Sequence, residues 1–392
     1  NDPGQLPITP LRLPNGEWFR LKVSLPGHPV WLRAWQVKVG RCWLYLLDSN
    51  DAANLPVHRG ITDELYGGGP DHRIKQEIVL GIGGYKLLRA LDIMPEVCHM
   101  NEGHAAFLVL ERANDFMKTN RTSFEEALAV TRAGNLFTTH TAVPAGFDHF
   151  SPSLMEQFLG GYAKEELGID LNDLMALGRA DANNRWESFN MAYLAVRGSG
   201  AVNGVSRLHG EVSRNLFSKL FPRWPIAEIP ISHVTNGVHM PCWDSKYADE
   251  LWTEACGKDR WRGELTDHEA HISKISDEKL WQFRNQSRNR LVSFIRERFE
   301  SQAMVSGLSS DTIAAAKKVF DSNTLTLGFA RRFVPYKRPD LLLHDPERFI
   351  RILTNSEHPV QLVLAGKAPP FDESGKALIQ KWVQFIQQHN LY

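Results

Sequence analysis

The stretch LTLGFARRFVPYKRPDLLL, Leu325–Leu343, decides how the fold of this chain is interpreted. An apolar run typical of a buried strand ends in Arg331 and Arg332, and Lys337 and Arg338 follow within six residues. Like charges repel one another, so a fold accommodates four clustered cations more easily when an anion lies nearby. The stretch therefore predicts a parallel-sheet domain with an anion-binding turn at the end of a strand.

The position of these cations favours a phosphate group as the anion. In open parallel sheets, ligands bind beyond the carboxyl ends of the strands, where Arg331 and Arg332 are expected. Pro339 suits the first turn of a following helix, whose N-terminal amides would also attract an anion. Arginine binds phosphate oxygens through two parallel hydrogen bonds, and lysine adds a point charge. We therefore expect a phosphate or sugar-phosphate site, the alternative being a solvated basic loop.

Composition excludes some classes of protein. The 392 residues, 43% of them hydrophobic and 23% charged, are enough for two globular domains. Lys plus Arg and Asp plus Glu both number 45, and this zero net charge argues against nucleic-acid binding driven by bulk charge. No apolar run is long enough to span a bilayer and no signal peptide is visible, so no membrane partner is expected. The four cysteines form no C-x-x-C pair, which predicts reduced thiols and a cytoplasmic location.

The order of predicted elements divides the chain into two domains. The first fifty residues are typical of two hairpins, turning at Pro14–Gly16 and at Gly40, and an α/β alternation follows. A long helix capped by Ser276 precedes a second strand-loop-helix pattern, which includes the apolar runs TLTLGFA and VQLVLA. We expect domains at 1–240 and 241–392. Only two strands are visible in the second domain and the chain ends in an unfinished amphipathic pattern, so we expect a fragment.

Three local patterns set the expected helix boundaries of the first domain. RIKQEIVLGIGGYKLLRAL predicts a helix broken at Gly81–Gly84. FNMAYLAVRGSGAVNGVSRLHGEVSRNLF predicts two helices hinged at Gly198–Gly200. Thr122 with Glu125 matches the capping-box pattern ahead of the helix FEEALAVTRAG.

The segment VCHMNEGHAAF contains the residue types of a metal site. His99, Glu102 and His104 are spaced H-x-x-E-x-H, which matches neither the H-E-x-x-H nor the H-x-x-E-H pattern of zinc enzymes. Cys98 would be a fourth candidate ligand. Because the spacing does not support it, we predict no metal site and expect a polar loop that presents Asn101 and Glu102 to a cleft.

Three predicted strand ends carry hydrogen-bonding side chains of a similar kind. Asn101 and Glu102 follow one strand, His140 ends a second within TTHTAVPAG, and Asn236 follows a third. A lone histidine is usually structural, but amide, carboxylate and imidazole groups at neighbouring strand ends suit sugar hydroxyls. The pattern predicts a carbohydrate-binding cleft and leaves the reaction open.

An ordered set of motifs gives the chain a family resemblance. The motifs, in chain order, are LYGGGPDHRIKQEIVLGIGG, HMNEGHAAF, TTHTAVPAG, NMAYLAVRGSGAVNGVSRLH, VTNGVHMPCW, ARRFVPYKRPDLLL and LVLAGKAPP. Together they resemble the α-glucan (glycogen, starch and maltodextrin) phosphorylases, most closely the short bacterial and archaeal type. Any one motif is weak, whereas the ordered set is specific.

The resemblance implies a fold and a reaction. The implied fold is α/β with glycosyltransferase-B architecture, in which two Rossmann-like domains face a cleft; the second domain would be incomplete here. The implied reaction is phosphorolysis, in which orthophosphate cleaves the terminal α-1,4-glucosyl unit of a glucan to glucose 1-phosphate with retained configuration. The implied cofactor is pyridoxal 5'-phosphate, whose phosphate is the proton partner of the substrate phosphate and whose Schiff-base lysine is expected beyond Tyr392. A homo-oligomer is one option for the assembly.

The resemblance also implies roles for individual residues. Arg332 and Lys337 would hold the substrate phosphate, and Arg331 and Trp243 would bind the cofactor phosphate and ring. The main-chain carbonyl of His140 would face the positive charge that develops on the sugar during the reaction.

The glucosyl unit would be bound by several side chains. The implied sugar-binding residues are Glu102, His140, Thr141, Asn236 and Tyr336. Long-type phosphorylases carry His-Glu where this chain has Val334–Pro335, and Asp-Thr-His where it has Glu102–His104. Both departures fit the short type.

Two other functions are compatible with the same residues. A nucleotide-sugar glycogen or starch synthase shares the implied architecture and carries a basic motif after a strand. A non-catalytic glucan-binding protein derived from a phosphorylase would not need Arg332 and Lys337 together. Pyridoxal absorbance and phosphate dependence distinguish a phosphorylase from both alternatives.

Overall fold

The computed structural model describes residues 3–65, 68–262, 267–369 and 372–391. Contacts divide the chain into an N-terminal unit, Asn1–Gly237, and a C-terminal unit, Val238–Tyr392. Each unit has its own hydrophobic core. Tyr66 and Gly67, which belong to the first motif, lie outside the described residues.

The N-terminal unit begins with a four-stranded antiparallel sheet. Its strands are β1 (Thr9–Pro10), β2 (Arg20–Ser24), β3 (Pro29–Val39) and β4 (Cys42–Asp48). Strand β3 pairs with the other three, and alternate residues in its first half face the core, which fixes the register. Both predicted turns are confirmed: Gly40 (φ 60°) links β3 to β4, and Gly16 (φ 86°) lies in the turn closed by the Arg12–Trp18 bridge.

The N-terminal unit also contains a four-stranded parallel sheet. The remaining strands of this unit are β5 (Cys98–Asn101), β6 (Asn135–Thr138), β7 (His149–Phe150), β8 (Phe189–Asn190), β9 (Ala201–Gly204) and β10 (Ser232–His233). The parallel sheet has the order β10-β9-β6-β5, and β7 and β8 form a separate antiparallel pair. Asn101 lies opposite Thr138, and Thr138 lies opposite Asn203, so the carboxyl ends of three strands meet at one edge. The predicted α/β class with parallel sheets is confirmed.

Helices connect the strands of the N-terminal unit and share one core with the sheets. They are α1 (Pro56–Arg59), α2 (Pro70–Ile78), α3 (Gly84–Ala90), α4 (Leu108–Asn120), α5 (Phe124–Arg132), α6 (Pro152–Tyr162), α7 (Leu171–Leu177), α8 (Met191–Arg197) and α9 (Arg207–Leu216). Phe107, Phe137 and Phe189 are fully buried in this core. Burial of each aromatic side chain contributes about 1.5–3 kcal/mol relative to an exposed one.

The helix predicted to break at Gly81–Gly84 is continuous, so this prediction was wrong. Helix α2 passes through a π-helical turn, Val79–Gly83, directly into α3. The glycines allow close packing, because a β-carbon at Gly81 would lie only 2.7 Å from the backbone nitrogen of Leu108. The cost of glycine in a helix, about 1 kcal/mol relative to alanine, is smaller than the packing that a β-carbon would disrupt here.

The predicted helical hinge at Gly198–Gly200 is also wrong. Helix α8 ends at Arg197, the four-residue strand β9 follows, and α9 starts only at Arg207. A strand as short as AVNG shows too little alternation to be recognised, and its neighbours β6 and β10 decide its conformation. The Gly200 N–H donates to the Asn135 carbonyl at 2.9 Å, which leads the chain into the sheet.

The capping box of α5 begins one residue later than predicted. Ser123, and not Thr122, accepts a hydrogen bond from the Glu126 N–H (3.3 Å), while the Ser123 N–H donates to the Glu126 carboxylate (3.1 Å). Both registers fit the motif S/T-x-x-E. The observed register buries Phe124 and Ala127, so core packing selects between them.

The C-terminal unit contains a parallel strand pair and helices. The strands are β11 (Leu325–Ala330) and β12 (Val360–Ala365), and the helices are α10 (Met240–Trp243), α11 (Lys246–Cys256), α12 (His268–Ile272), α13 (Asp277–Val305), α14 (Ser310–Ala316), α15 (Pro346–Leu353) and α16 (Glu373–His389). Ser276 caps α13 as predicted, since its hydroxyl accepts a hydrogen bond from the Lys279 N–H at 3.3 Å. The buried core of this unit is formed by Phe333, Phe349, Trp382 and Phe385. Within the described ranges of both units, helices that combine the length and apolarity needed to cross a membrane are absent.

Candidate functional site

The loops after β5 and β6 bring predicted site residues together. Because these strands are parallel neighbours, Asn101 and the segment after Thr138 emerge at the same sheet edge. The imidazole Nε2 of His140 lies 2.6 Å from the Asn101 side-chain oxygen, a hydrogen bond that joins the two strand ends. His140 itself is exposed. The sequence-based expectation that Asn101, Glu102 and His140 lie at neighbouring strand ends therefore agrees with the geometry.

The Glu102 carboxylate accepts four hydrogen bonds from the protein. One oxygen accepts from the Gly103 N–H (3.1 Å) and the Thr139 hydroxyl (3.4 Å). The other accepts from the His140 N–H (2.7 Å) and the Thr141 hydroxyl (2.9 Å). The side chain thus ties the loop after β5 to the loop after β6.

Glu102 also has an unusual backbone conformation. Its φ of 76° and ψ of 169° lie in a region that is essentially restricted to glycine. Such a conformation costs about 1–3 kcal/mol in a residue with a β-carbon and persists only when the surroundings enforce it. The four hydrogen bonds of the carboxylate supply that constraint.

Asn236 lies in a different part of the same unit. It follows β10, its side chain is exposed, and its N–H donates to the Val205 carbonyl at 3.3 Å. Among the described residues, no hydrogen bond joins it to His140 or Glu102. Asn236 and His140 therefore follow different strands of one sheet, and the described residues show no hydrogen bond between them.

His209 is a residue of this edge that the sequence did not single out. Its Nε2 lies 2.9 Å from the Thr141 carbonyl oxygen, and its Nδ1 accepts a hydrogen bond from the Val205 N–H at 3.1 Å. His209 lies in the first turn of α9, which is capped by Ser206. The only available signal was its place in the motif NGVSRLH, and that motif gives no direction for the side chain.

A second polar cluster lies near the loop after β5. The Arg73 guanidinium contacts the carboxylates of Asp148 (3.0 Å) and Glu77 (3.0 Å), and His104 Nδ1 lies 3.1 Å from Asp148. Glu77, His104 and Asp148 offer three potential ligand atoms within 4.8 Å of one another. Arg73 already provides the positive charge that this group of carboxylates requires, so we assign no metal to it.

The residues of the H-x-x-E-x-H pattern diverge in the structure. His99 Nε2 lies 2.7 Å from the Thr138 hydroxyl, Glu102 binds the loop after β6, and His104 contacts Asp148. Each potential ligand atom is thus engaged with a different protein group. Their spacing in sequence does not translate into a common coordination site.

In the polar cluster around Arg73, the pKa values of the Glu77 and Asp148 carboxyl groups are shifted in opposite directions. Burial raises the pKa of the Glu77 carboxyl well above its ordinary value, and the negative charge of Asp148 adds to this shift. Burial alone would raise the pKa of Asp148, but hydrogen bonds from His104 and Arg73 hold it below its usual range. Burial, and after it the charge of Asp148, therefore outweigh the opposite effect of Arg73 on the pKa of Glu77.

We expect the substitution Glu77→Gln to stabilise the protein progressively as the pH rises above about 4.5. Because the folded state raises the pKa of Glu77, its favourable contribution is complete below the unfolded value of 4.5 and is lost as the pH rises through the folded value. Glutamine keeps the shape and cannot ionise. The check is the Tm of both proteins from about pH 4 to 8, with Glu125→Gln, an exposed carboxyl in α5, as the matched control. A difference in Tm between Glu77→Gln and wild type that is constant with pH would contradict the assignment.

The basic turn, Arg331–Arg338, follows β11 in the C-terminal unit. The N–H groups of Arg331 and Phe333 extend the strand pairing, donating at 3.0 and 2.9 Å to carbonyls at the end of β12 and just after it. Phe333 is buried in the core, whereas Arg331 and Arg332 are exposed. The backbone of the turn is thus anchored to the sheet while the arginines point away from the core.

Within the described ranges, the four cations of the basic turn have no carboxylate partner. Arg331, Arg332 and Arg338 are exposed and Lys337 is half-buried. In the described part of the chain, none of them forms an ion pair or donates a side-chain hydrogen bond. The Lys337 ammonium lies 5.7 Å from the centroid of the Tyr336 ring, a cation–π contact. Uncompensated positive charges on one turn form a site that an anion would stabilise.

The helix expected to start at Pro339 is absent, which corrects the prediction. A single 3-10 turn, Leu341–His344, follows, and α15 begins only at Pro346. Arg338 adopts a left-handed conformation (φ 50°), and the Pro339 carbonyl accepts a hydrogen bond from the buried indole of Trp382 at 2.8 Å. Pro339 therefore docks the turn onto α16 and starts no α-helix. An anion at the basic turn would be bound by side chains, without an α-helix N-terminus.

Trp243 and Tyr336 present aromatic surface in the C-terminal unit. Trp243 is the last residue of α10 and its side chain is 79% exposed, and Tyr336 is 60% exposed. Exposed indole and phenol rings of this kind can stack on a planar ring or a sugar face. Both residues are thus available for a ligand.

The chain is similar to carbohydrate phosphorylases over almost its whole length. The family model described as carbohydrate phosphorylase matches residues 89–389. The chain is 40% identical to a glycogen phosphorylase of Mycobacterium tuberculosis over 99% of its own length and 46% of that protein. It is 38% identical to a maltodextrin phosphorylase of Thermococcus litoralis over 98% of its length and 45% of that protein. A glycogen phosphorylase of Aquifex aeolicus is 36% identical over 97% of this chain and 54% of that protein.

These matches agree with the order of motifs and with the parallel sheets. The chain spans about half the length of the curated relatives it matches. The family model covers both structural units, from α3 in the N-terminal unit to the end of α16 in the C-terminal unit. The chain belongs to the carbohydrate phosphorylase family.

Proposed function

We propose that the protein containing this chain catalyses the phosphorolysis of terminal α-1,4-glucosyl units of a glucan, with orthophosphate as the second substrate and glucose 1-phosphate as the product. The relatives named glycogen phosphorylase and maltodextrin phosphorylase support this reaction. The observation that carries it is the basic turn, whose four cations have no carboxylate partner in the described residues. Neither pure sugar binding nor structural stability requires such a turn.

The basic turn would bind the substrate phosphate. Arg332 can form two parallel hydrogen bonds to phosphate oxygens, and Lys337 adds a charge that is already oriented by the Tyr336 ring. In a phosphorolysis, these cations would lower the energy of the transition state by stabilising the attacking phosphate. Arg338 lies beyond the turn in a left-handed conformation and is assigned no direct contact.

The edge of the parallel sheet would bind the glucosyl unit. His140, Thr141 and Asn236 offer imidazole, hydroxyl and amide groups for this purpose. For the C-terminal unit, we propose the exposed phenol of Tyr336 as a glucosyl-binding group. Glu102 accepts a hydrogen bond from the His140 backbone N–H, and this contact helps to orient the main-chain carbonyl of His140. We assign that carbonyl to the electrostatic stabilisation of positive charge on the sugar.

Pyridoxal phosphate is the proposed cofactor, and two residues of the C-terminal unit fit parts of it. The exposed guanidinium of Arg331 suits its phosphate, and the exposed indole of Trp243 suits its ring. When bound, the cofactor would supply a phosphate group that exchanges a proton with the substrate phosphate. Arg331 would hold that phosphate in its ionised form by charge.

We also propose an architecture and a cellular location for the protein that contains this chain. The N-terminal unit would be the glucosyl-binding domain and the C-terminal unit part of the phosphate- and cofactor-binding domain of a glycosyltransferase-B fold. A cytoplasmic location is proposed because Cys42, Cys98, Cys242 and Cys256 are free thiols. A homo-oligomeric assembly stays a prediction.

The test is an assay of the full-length protein with maltodextrin and orthophosphate. We expect glucose 1-phosphate release that requires phosphate, together with pyridoxal absorbance. Sugar transfer from a nucleotide sugar, without phosphate dependence, would instead identify a glucan synthase. Retention on a glucan matrix without product release would identify a binding protein.

We expect His140→Ala to weaken both glucan binding and turnover in the full-length protein while pyridoxal content stays normal. The substitution removes the imidazole bound to Asn101 and loosens the carbonyl assigned to the sugar. Since the proposed role is hydrogen bonding and carbonyl placement and not proton transfer, the substitution should lower the rate by a similar factor at every pH. Asn120→Ala, a substitution at the end of α4 outside both loops, serves as control. A pH–rate profile of different shape in His140→Ala would contradict this role.

A further inference from the structure

We propose that Glu102 and His209 are positioning residues that brace the loop carrying His140 from two sides, and that Glu102 acts through this loop without contacting the sugar. The proposal rests on the proposed function for its effect on turnover. Its structural content, a loop held by two side chains from outside it, stands on the hydrogen bonds alone.

The first brace is the Glu102 carboxylate. A carboxylate offers about four lone-pair sites, and four protein donors occupy those of Glu102. Three of these donors, the Thr139 hydroxyl, the His140 N–H and the Thr141 hydroxyl, belong to the loop. A sugar hydroxyl would have to displace one of them to reach the carboxylate. Glu102 is therefore arranged to hold the loop and not to receive a ligand.

The backbone of Glu102 supports a role beyond ordinary packing. Its φ of 76° and ψ of 169° are adopted at low cost only by glycine. A glycine at this position would avoid the strain but would lack the carboxylate that reaches the His140 N–H. Strained backbone of this kind is concentrated at functional sites, where the geometry that it enforces is used.

The second brace is the imidazole of His209. Its Nδ1 accepts a hydrogen bond from the Val205 N–H, so Nδ1 carries no proton. The proton of a neutral ring must then be on Nε2, which lies 2.9 Å from the Thr141 carbonyl and donates to it. Close packing keeps the ring in place, because a β-carbon at Gly204 would lie 2.9 Å from His209 Nδ1. The backbone hydrogen bond thus fixes both the tautomer and the direction of the donor.

Together the two side chains hold one peptide group on each side of His140. Glu102 accepts a hydrogen bond from the N–H of the Thr139–His140 peptide, and His209 binds the carbonyl of the Thr141–Ala142 peptide. Asn101 holds the imidazole ring of His140 itself. Displacement of a reacting group by about 1 Å can reduce a rate by about 100-fold, so such bracing has a large effect on turnover.

The test compares Glu102→Gln, His209→Phe and His209→Gln in the full-length protein. Glutamine at 102 turns an amide donor toward protein donors, and phenylalanine at 209 removes the donor to Thr141. Both should lower kcat about 10- to 100-fold and leave the KM for phosphate unchanged. Glutamine at 209 has an amide that can donate to Thr141, so it should recover most of the loss. Glu125→Gln, an exposed carboxyl in α5, is the matched control and should behave as wild type.

Amide hydrogen exchange of the segment containing His140 is the second measurement. Exchange should be faster in Glu102→Gln and His209→Phe than in wild type, and close to wild type in His209→Gln and Glu125→Gln. Unchanged exchange and unchanged kcat in the first two variants would overturn the proposal. If the wild-type protein released no glucose 1-phosphate, the proposed function would fail, while the exchange data would still decide whether the two side chains brace the loop.

Discussion

Alanine at Arg332 or at Lys337 is expected to lower kcat/KM for phosphorolysis by about 30- to 1,000-fold in the full-length protein. Each substitution removes a cation from a site that would bind the substrate phosphate, and such contacts contribute about 2–4 kcal/mol in a transition state shielded from water. The effect should be concentrated in the response to phosphate. Neither residue is part of an ion pair in the described regions, so little stability should be lost.

Arg338→Ala is the matched control for these two variants. Arg338 belongs to the same cluster of cations, but its left-handed backbone follows the 3-10 turn Pro335–Lys337 and its side chain is exposed. If the turn attracted phosphate only through its total charge, removal of any one of the four cations would weaken phosphate binding by a similar amount. If Arg332 and Lys337 contact the phosphate directly, their removal should cost more than removal of Arg338. Steady-state kinetics with varied phosphate decides between these cases. Equal, small losses in all three variants would contradict the assignment of Arg332 and Lys337.

Gly366→Ala is expected to destabilise the C-terminal unit by about 1–3 kcal/mol and to abolish most of the phosphate-dependent activity. Gly366 follows β12, and a β-carbon there would overlap the Arg331 carbonyl oxygen and lie 2.9 Å from the Phe333 ring. The chain would have to move at the start of the basic turn. Because Phe333 is a core residue, the displacement would also reduce packing around it.

Gly328→Ala, in the neighbouring strand β11, is the control for Gly366→Ala. A β-carbon at Gly328 would meet nothing within 4 Å, so this substitution should leave the stability and the phosphate response nearly unchanged. The measurements are the Tm of each variant and the KM for phosphate. If the two glycine variants lowered Tm equally, the overlap with Arg331 would not be the cause.

Local chemistry explains which parts of the fold could be predicted. Gly16 and Gly40 mark turns because they adopt positive φ angles at low cost, and Ser276 caps α13 through a hydrogen bond three residues away. These signals depend only on neighbouring residues. The runs TLTLGFA and VQLVLA likewise predict β11 and β12, since both are mainly apolar, the first ending just before Arg331 and the second lying between Pro359 and Gly366.

The failures have a common physical cause. The local sequence around Gly81 is typical of a helix break, but the close approach of Leu108 makes this glycine a packing residue inside a continuous helix. Strand β9 cannot be recognised from its own sequence, because its conformation comes from β6 and β10. Pro339 docks onto Trp382 and does not start a helix. In each case a partner distant in sequence outweighed the local propensity.

By itself, the sequence determined the residue types at the strand ends, the order of the motifs and the clustering of cations in the basic turn. Only the tertiary structure decided how the side chains at those ends are used. Glu102 could not be recognised as a brace from its place in HMNEGH, because its four donors come from the following residue and from a loop nearly forty residues away. His209 acts on Thr141 across a separation of 68 residues. Parallel strands that are neighbours in the sheet bring such groups together. The direction of each hydrogen bond then determines which donor binds which acceptor, and a sequence pattern does not encode that direction.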